Sequence, residues 1–264
     1  MTHIIAVINQ KGGVGKTTIS TQLAFDLALH QKKRVLYIDM DAQGNGTSVL
    51  LGEEEITGDQ ATELFNPESM EIHPQRSAFE LIDILPTERN SALSYQCEKL
   101  PESEYVKLPK EKIALIADQY DFIVIDAPPN MCTKAYASLT MATHVLCPVR
   151  FCGFSNAGLE GLLTSINRVQ AEWNPDLEIL GILVNALDRS TTQRRNMKEA
   201  REALQGIIFE HFIPNRTPLD TANTNGIPIW EVPSAYVAAR DVELALHEVY
   251  SRLGFQPTYT AFRK

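Results

Sequence analysis

Apolar residues along this chain gather into short runs divided by longer stretches of mixed character. The first run, His3 to Asn9, is rich in isoleucine and valine; others occupy Arg34–Asp39, Glu80–Leu85, Asp121–Asp126, Thr143–Val149, Leu177–Val184 and Ile207–Ile213. Runs this short, without polar alternation, predict strands buried on both faces. Between them the apolar spacing changes to a helical period. Thr17 to His30 carries Ile19, Leu23, Leu27 and Ala28, and the spacing also predicts helices over 133–142, 156–173 and 191–205. The last long helix runs from Ser234 to Leu253, with Val242, Ala245, Leu246, Val249 and Leu253 on one face and Gly254 ending it. Strands alternating with helices predict an α/β fold, a mostly parallel twisted sheet with helices on both faces. The interval 53–112, with Glu53-Glu54-Glu55 and several prolines, is expected to form loops and short helices at one sheet edge, and 255–264 a short tail. No internal repeat or low-complexity linker divides 1–264, so one domain is expected.

Composition narrows the classes. The chain has 264 residues, of which 44% are hydrophobic and 22% charged, enough apolar material for a full core without disulfide staples. Cys97, Cys132, Cys147 and Cys152 form no CxxC pair, and the six histidines form no HExxH or HxxxH set. A disulfide framework and a structural zinc site are therefore not expected. No apolar run approaches the roughly 18–20 residues of a membrane span. The start, Met1-Thr2-His3-Ile4-Ile5, lacks the basic region and cleavage site of a signal peptide, so a cytoplasmic location is expected. Net charge is −9, which disfavours polyanion binding by the surface as a whole. The distribution is uneven, however. Residues 1–189 hold 15 basic and 25 acidic side chains, net −10, whereas 190–264 hold 9 and 8, net +1. Arg189, Arg194, Arg195, Lys198 and Arg201 lie close together, and a local patch governs electrostatic binding more than net charge does.

Candidate chemistry starts directly after the first strand, at Gly12-Gly13-Val14-Gly15-Lys16-Thr17-Thr18. Gly15-Lys16-Thr17 matches the end of the phosphate-loop pattern GxxxxGK[ST], with Gln10 where the first glycine belongs. Glycines let successive backbone N–H groups turn inward as an anion nest, and the helix N-terminus adds its dipole. Lys16 has the reach for β/γ-phosphates, and the Thr17 hydroxyl suits Mg²⁺. Phe122-Ile123-Val124-Ile125-Asp126 is an apolar strand ending in an acid, the Walker B arrangement that holds Mg²⁺. ATP and Mg²⁺ are the expected ligands.

The loop also resembles a narrower group. Lys11-Gly12-Gly13-Val14-Gly15-Lys16-Thr17-Thr18 matches the deviant Walker A motif of the ParA/MinD family of P-loop ATPases. The resemblance implies a nucleotide-sandwich homodimer, with Lys11 reaching across to the partner's ATP. Asp39-Met40-Asp41-Ala42-Gln43-Gly44-Asn45 resembles the family's DxDxQGN segment, which implies that Asp41 positions or activates the attacking water. Asp126-Ala127-Pro128-Pro129 resembles the DxPP of partition-type members, and Leu159-Glu160-Gly161-Leu162 the end of their ALEGL segment. Asn185, closing Ile182-Leu183-Val184-Asn185, occupies the position that hydrogen-bonds adenine in the family; it also fits a plain turn residue. Ile213-Pro214-Asn215-Arg216 resembles the IPR segment, placing Pro214 against the base. Two stretches depart from the pattern. Asn130-Met131-Cys132 stands where PPSLG would continue, and Thr221-Ala222-Asn223-Thr224 replaces EAPS. They fall outside the phosphate chemistry and bear on the dimer or partner surface.

Several functions share this scaffold. The resemblance favours a partition ATPase with weak intrinsic turnover that dimerises on ATP and binds DNA nonspecifically, which places it on the nucleoid. A ParB-type adaptor would stimulate it. A protein cargo is the alternative to plasmid or chromosome. The helix beginning near Thr191 presents Arg194, Lys198 and Arg201 on one face, with Arg216 a further basic candidate, against a solvated face balanced by Glu199 and Glu202. A MinD-like membrane cycle needs a C-terminal amphipathic helix, which the proline-containing tail 255–264 does not supply. An iron–sulfur electron-transfer ATPase would draw on Cys97 and Cys132, which lack glycine-rich flanks.

Overall fold

Seven strands form one sheet in the order β3-β4-β2-β5-β1-β6-β7. The computed structural model describes residues 2–150, 156–188 and 190–258. The strands are β1 (His3–Val7), β2 (Val35–Asp39), β3 (Gln75–Arg76), β4 (Ile82–Leu85), β5 (Phe122–Asp126), β6 (His144–Val149) and β7 (Glu178–Val184). All pairings are parallel except β3 with β4 at one edge. The helices are α1 (Lys16–Phe25), α2 (Asn45–Leu51), α3 (Ala92–Glu98), α4 (Glu102–Tyr105), α5 (Leu108–Ala114), α6 (Thr133–Met141), α7 (Asn156–Glu172), α8 (Thr191–Ala203), α9 (Thr217–Asn225) and α10 (Tyr236–Arg252). A π-helical turn, Asp26–His30, extends α1.

Alternate strand residues feed two cores, as a pleated sheet covered on both sides requires. Ala6, Ile38, Ile123, Ile125 and Val145 pack with Ala135 and Leu139 of α6, Leu162 and Ile166 of α7, and Met197 and Ala200 of α8. Ile5, Val7, Val35, Tyr37, Val124 and Leu146 pack with Ile19 and Leu23 of α1 and Val242, Leu246 and Val249 of α10. The expected α/β architecture is present, and six of the seven anticipated strands form. The segment 53–112 supplies the edge pair β3–β4 and the short helices α3 to α5.

The anticipated strand over Ile207–Ile213 is not one. It touches β7 through one isolated bridge, Ile182 to Ile208, and a second bridge, Leu187 to Pro214, lies just past the ends of both. Phe209 N–H donates to the Ile182 carbonyl and Ile213 N–H to the Val184 carbonyl, so two more residues lie between these bonds than a regular ladder allows. The displaced N–H groups of Glu210 and His211 donate instead to the Glu248 carboxylate of α10, both at 2.9 Å. Two arginines accommodate the carbonyls left over. Arg201 donates to the carbonyls of Phe209 (3.3 Å) and Glu210. Arg252 serves Leu180, Gly206, Ile207 and Ile208 and pairs with Glu248 at 2.8 Å. Leu180 itself is the extra residue where the β6–β7 register shifts. Beside it Gly181, at φ 140°, lets the Ile207 backbone approach so closely that a Cβ would lie 2.3 Å from its carbonyl oxygen.

The order of connections locates a crevice. From β1 the chain crosses to β2 on one side of β5, while from β5 it crosses to β6 on the far side of β1. Helices diverge there, and ligands of open α/β sheets bind above the strand ends at such switch points.

Candidate functional site

The carboxyl ends of β1, β5 and β2 lie in one row, with Val7 opposite Asp126 and Asp126 opposite Asp39. The chain leaves β1 as Ile8, whose N–H bonds the Leu146 carbonyl, and then turns through the glycine loop. Asn9 organises its entry: Nδ2 donates to the Pro148 carbonyl at 2.7 Å, and Oδ1 accepts from the Lys11 N–H at 2.9 Å. Gln10 points away from the loop toward α7, donating to Ser165 Oγ at 3.2 Å. Lys11 and Gly12 are exposed. Gly13 and Gly15 take φ of 71° and 93°, values that admit glycine and strain other residues, and Gly15 is the N-cap of α1. No side chain caps α1, so its first N–H groups face the loop.

Lys16, at the first helical position, is buried, and burial lowers its ammonium's basicity against the opposing pull of Asp126 and Asp41. Thr17 Oγ1 donates to Asp126 Oδ2 at 2.6 Å. Asp126 is fully buried; burial and then the nearby Asp39 raise its pKa to about 8. Its other oxygen, Oδ1, has no hydrogen-bond partner. A buried carboxylate oxygen without a hydrogen-bond partner, beside a threonine hydroxyl, is the hard-oxygen environment that Mg²⁺ favours. The residues present therefore fit the cation that the motif implies.

Asp39 does different work. Its Oδ2 accepts from Thr47 N–H (2.7 Å) and Thr47 Oγ1 (2.8 Å), and its Oδ1 from the Asp41 N–H at 3.2 Å. Burial raises its pKa to about 6, the Thr47 bonds working against that rise. Asp39 thus ties α2 and the following loop to the end of β2. Asp41, in that loop, is half-buried; its Oδ1 accepts from Gln43 N–H at 3.0 Å. The loop brings Asp41 to the same strand ends as Lys16 and Asp126.

Asn185 is buried and lies on the glycine loop. Its Nδ2 donates to the Val14 carbonyl at 2.9 Å, and a Cβ added to Gly15 would sit 2.0 Å from that nitrogen. Gly15 is therefore required twice, by its backbone angle and by the approach of Asn185. Pro214, with Leu187, Asp188, Met197, Phe212 and Arg216, lines an open groove of about 570 Å³ between α8 and the 212–216 segment. The sequence marked Asn223 only as part of a departure from the family pattern, away from the phosphate chemistry; its Nδ2 donates to Thr18 Oγ1 at 2.6 Å. Only a contact across 205 residues reveals it.

The anticipated basic face is divided. Lys198 is exposed, 3.8 Å from Glu202, and Arg195 pairs with Glu199 at 3.0 Å. Arg201 is turned onto the carbonyls of Phe209 and Glu210, and Arg216 pairs with Asp241 at 2.7 Å. The side chain of Arg194 lies outside the described residues. Among the described residues no three His, Cys, Asp or Glu side chains are grouped to hold a metal, and no helix is long and apolar enough to cross a membrane.

Comparison with known proteins agrees with this geometry. A family model described as an AAA domain matches residues 2–179. The chain is 34% identical over 233 residues to the sporulation initiation inhibitor protein Soj of Bacillus subtilis, covering 87% of this chain and 90% of that protein. It is 30% identical over 231 residues to the chromosome partitioning protein ParA of Myxococcus xanthus, covering 86% and 80%. Among solved structures, Cyanothece McdA in complex with ATP superposes with a TM-score of 0.84 at 21% identity, covering 98% of this chain and 99% of that one. That last likeness is one of fold.

Proposed function

The chain belongs to the ParA/MinD-type family of P-loop ATPases, and from that premise we propose that it is a partition ATPase whose Mg²⁺-dependent hydrolysis of ATP drives a cycle of dimerisation and nonspecific DNA binding. The observation that carries the chemical part is the convergence of Lys16, the Thr17–Asp126 pair and Asp41 above one row of strand ends. Gly12, Gly13, Val14 and Gly15 present backbone N–H groups to the phosphates, and Lys16 neutralises the β/γ oxygens. Thr17 and Asp126 hold Mg²⁺, which when bound offsets charge on the phosphates. Asp41 orients the attacking water. Asp39, by accepting the Asp41 N–H, fixes the loop from which that carboxylate projects. Lys11 stands exposed at the loop's outer side and reaches a partner chain's nucleotide. Asn185 holds the loop's shape, and Pro214 borders the base.

The likeness to Soj and ParA supports the partition role. In that role the protein works on the nucleoid, with a ParB-type adaptor as its stimulating partner. A cargo made of protein rather than DNA is the alternative.

Separating chemistry from binding tests the scheme. Asp41→Ala is expected to keep Mg²⁺-ATP binding and accumulate as an ATP dimer while losing turnover; Lys16→Ala is expected to lose the dimer itself. Turnover at the wild-type rate in Asp41→Ala would remove Asp41 from the reaction. DNA retention measured with ATP, with ADP and without nucleotide tests the partition role, which fails if all three are equal.

A further inference from the structure

Asn223 lies in α9, where Thr221-Ala222-Asn223-Thr224 departs from the family's EAPS stretch, and its side chain reaches the first turn of α1. Thr18 Oγ1 accepts from Asn223 Nδ2 at 2.6 Å, a short bond for an amide and a hydroxyl. A hydroxyl that receives a hydrogen in this way keeps its own proton for a different acceptor. Thr18 follows directly on Lys16 and Thr17 at the phosphate loop, so a nucleotide phosphate is the acceptor its position offers.

Anchoring of α9 to α1 does not depend on this bond. One turn further along α1, buried Gln22 accepts the Ile229 N–H at 2.8 Å and donates to the Ile227 carbonyl at 3.5 Å, fixing the segment after α9. Gly226, at φ 60°, packs against the Val49 backbone. Asn223 Oδ1, by contrast, is a buried atom without a hydrogen-bond partner, so the amide gains nothing for itself beyond the Thr18 contact. A buried unmatched acceptor carries a cost that a purely structural amide would avoid.

We propose that Asn223 is a positioning residue of the nucleotide site, orienting the Thr18 hydroxyl as a hydrogen-bond donor to the phosphates of a nucleoside di- or triphosphate. It acts through Thr18 and does not itself touch the phosphates. The inference rests on the ATP-binding function proposed above and adds a residue to it.

Equilibrium titration with fluorescent mant-ATP and mant-ADP, with thermal unfolding followed in parallel, is the test. Asn223→Ala should raise Kd for both nucleotides by about threefold to tenfold, the worth of one neutral hydrogen bond. Asn223→Asp should raise it further, because a carboxylate accepts the Thr18 proton and adds negative charge beside the phosphates. In a Thr18→Val background, Asn223→Ala should change Kd no further, since the group it orients is gone. Equal Kd for wild type and both Asn223 variants overturns the proposal, as does a full additional loss in the Thr18→Val background. Unfolding temperature that falls with Kd unchanged also overturns it and leaves only a brace. Wild type and Lys16→Ala are measured alongside. If neither binds mant-ATP, the ATPase assignment itself fails; if wild type binds and Lys16→Ala does not, a null result at Asn223 counts against Asn223 alone.

Discussion

Asp126 and Asp39 sit side by side in the sheet, both fully buried, and burial disfavours the charged form of each. Asp126 keeps its proton up to about pH 8 in the folded chain, against an ordinary value of 3.8. Between those two values the unfolded chain binds fewer protons than the folded one. Its contribution to stability is therefore favourable at low pH and diminishes as pH rises through that window. Asp39, raised to about 6, adds the same sign over the lower part of it. Asp126→Asn removes the buried charge while leaving an oxygen for the Thr17 hydroxyl. In chelator and without nucleotide, the variant should unfold at a higher temperature than wild type, by a margin of about 1–3 kcal/mol at pH 8 that shrinks toward pH 5. Thermal melts at several pH values check this; parallel wild-type and variant curves would contradict it. The same variant should lose Mg²⁺-dependent nucleotide affinity. The stability this carboxylate costs and the cation affinity proposed for it have the same origin in its burial.

At the scale of elements, the segment between α8 and α9 shows how a strand-like sequence is diverted. Ile207, Ile208, Phe209, Phe212 and Ile213 have the composition of a strand, yet two residues of excess length leave Glu210 and His211 without β7 partners. Glu248 takes their N–H groups, while Arg201 and Arg252 take neighbouring carbonyls. Arg201→Ala should therefore destabilise the protein by about 0.5–1.5 kcal/mol, the net worth of its bond to the part-buried Phe209 carbonyl, since water can replace it at the exposed Glu210 carbonyl. Hydrogen exchange at Phe209 and Ile213, whose N–H groups bond β7, should speed up with it; unchanged exchange there would show that Arg201 is dispensable. The sequence could mark Arg201 only as one cation on a basic helical face, because its carbonyl partners lie across a loop whose path no periodicity encodes. The same limit explains Asn185 and Asn223. Gly15, Lys16 and Thr17 are visible because their spacing is local, and Asp126 because it ends an unbroken apolar run. The amides act across 171 and 205 residues, and neither spacing nor residue type announces the contact. The strands β1, β2 and β5 were equally plain, since burial on both faces leaves unbroken apolar runs. The two-residue edge strand β3 has too few residues to show a pattern at all.

At the scale of the whole molecule the question is how a chain of net charge −9 would carry out the DNA binding proposed for it. Arg201 donates to two carbonyls and Arg216 pairs with Asp241, while Arg195 and Lys198 of α8 are exposed, and the sequence adds Arg194 to the same stretch. The ion pairs of Arg195 and Lys198 with Glu199 and Glu202 are exposed, and pairs of this kind contribute roughly 0–1 kcal/mol, too little to withhold either cation from a phosphate. A few phosphate contacts per chain make weak binding that falls steeply with salt. Two chains fixed in one dimer add avidity through effective concentration, so DNA binding should follow the ATP dimer rather than the monomer. Changing Arg194 and Lys198 together to Glu should abolish binding to any sequence about equally, because phosphate contacts carry no sequence information. ATP-driven dimerisation should be untouched, as neither residue belongs to the glycine loop, nor does Lys198 line the groove beside Pro214. Arg201→Ala, examined beside it at temperatures where it stays folded, should bind DNA nearly as wild type does, since its guanidinium already serves two carbonyls. Filter retention over a range of salt concentrations, with dimerisation measured by light scattering, distinguishes the outcomes. If the double variant dimerises and still retains DNA as wild type does, α8 is a solvated face; the search for the DNA surface then moves to the other exposed cations, beginning with Arg240 on α10.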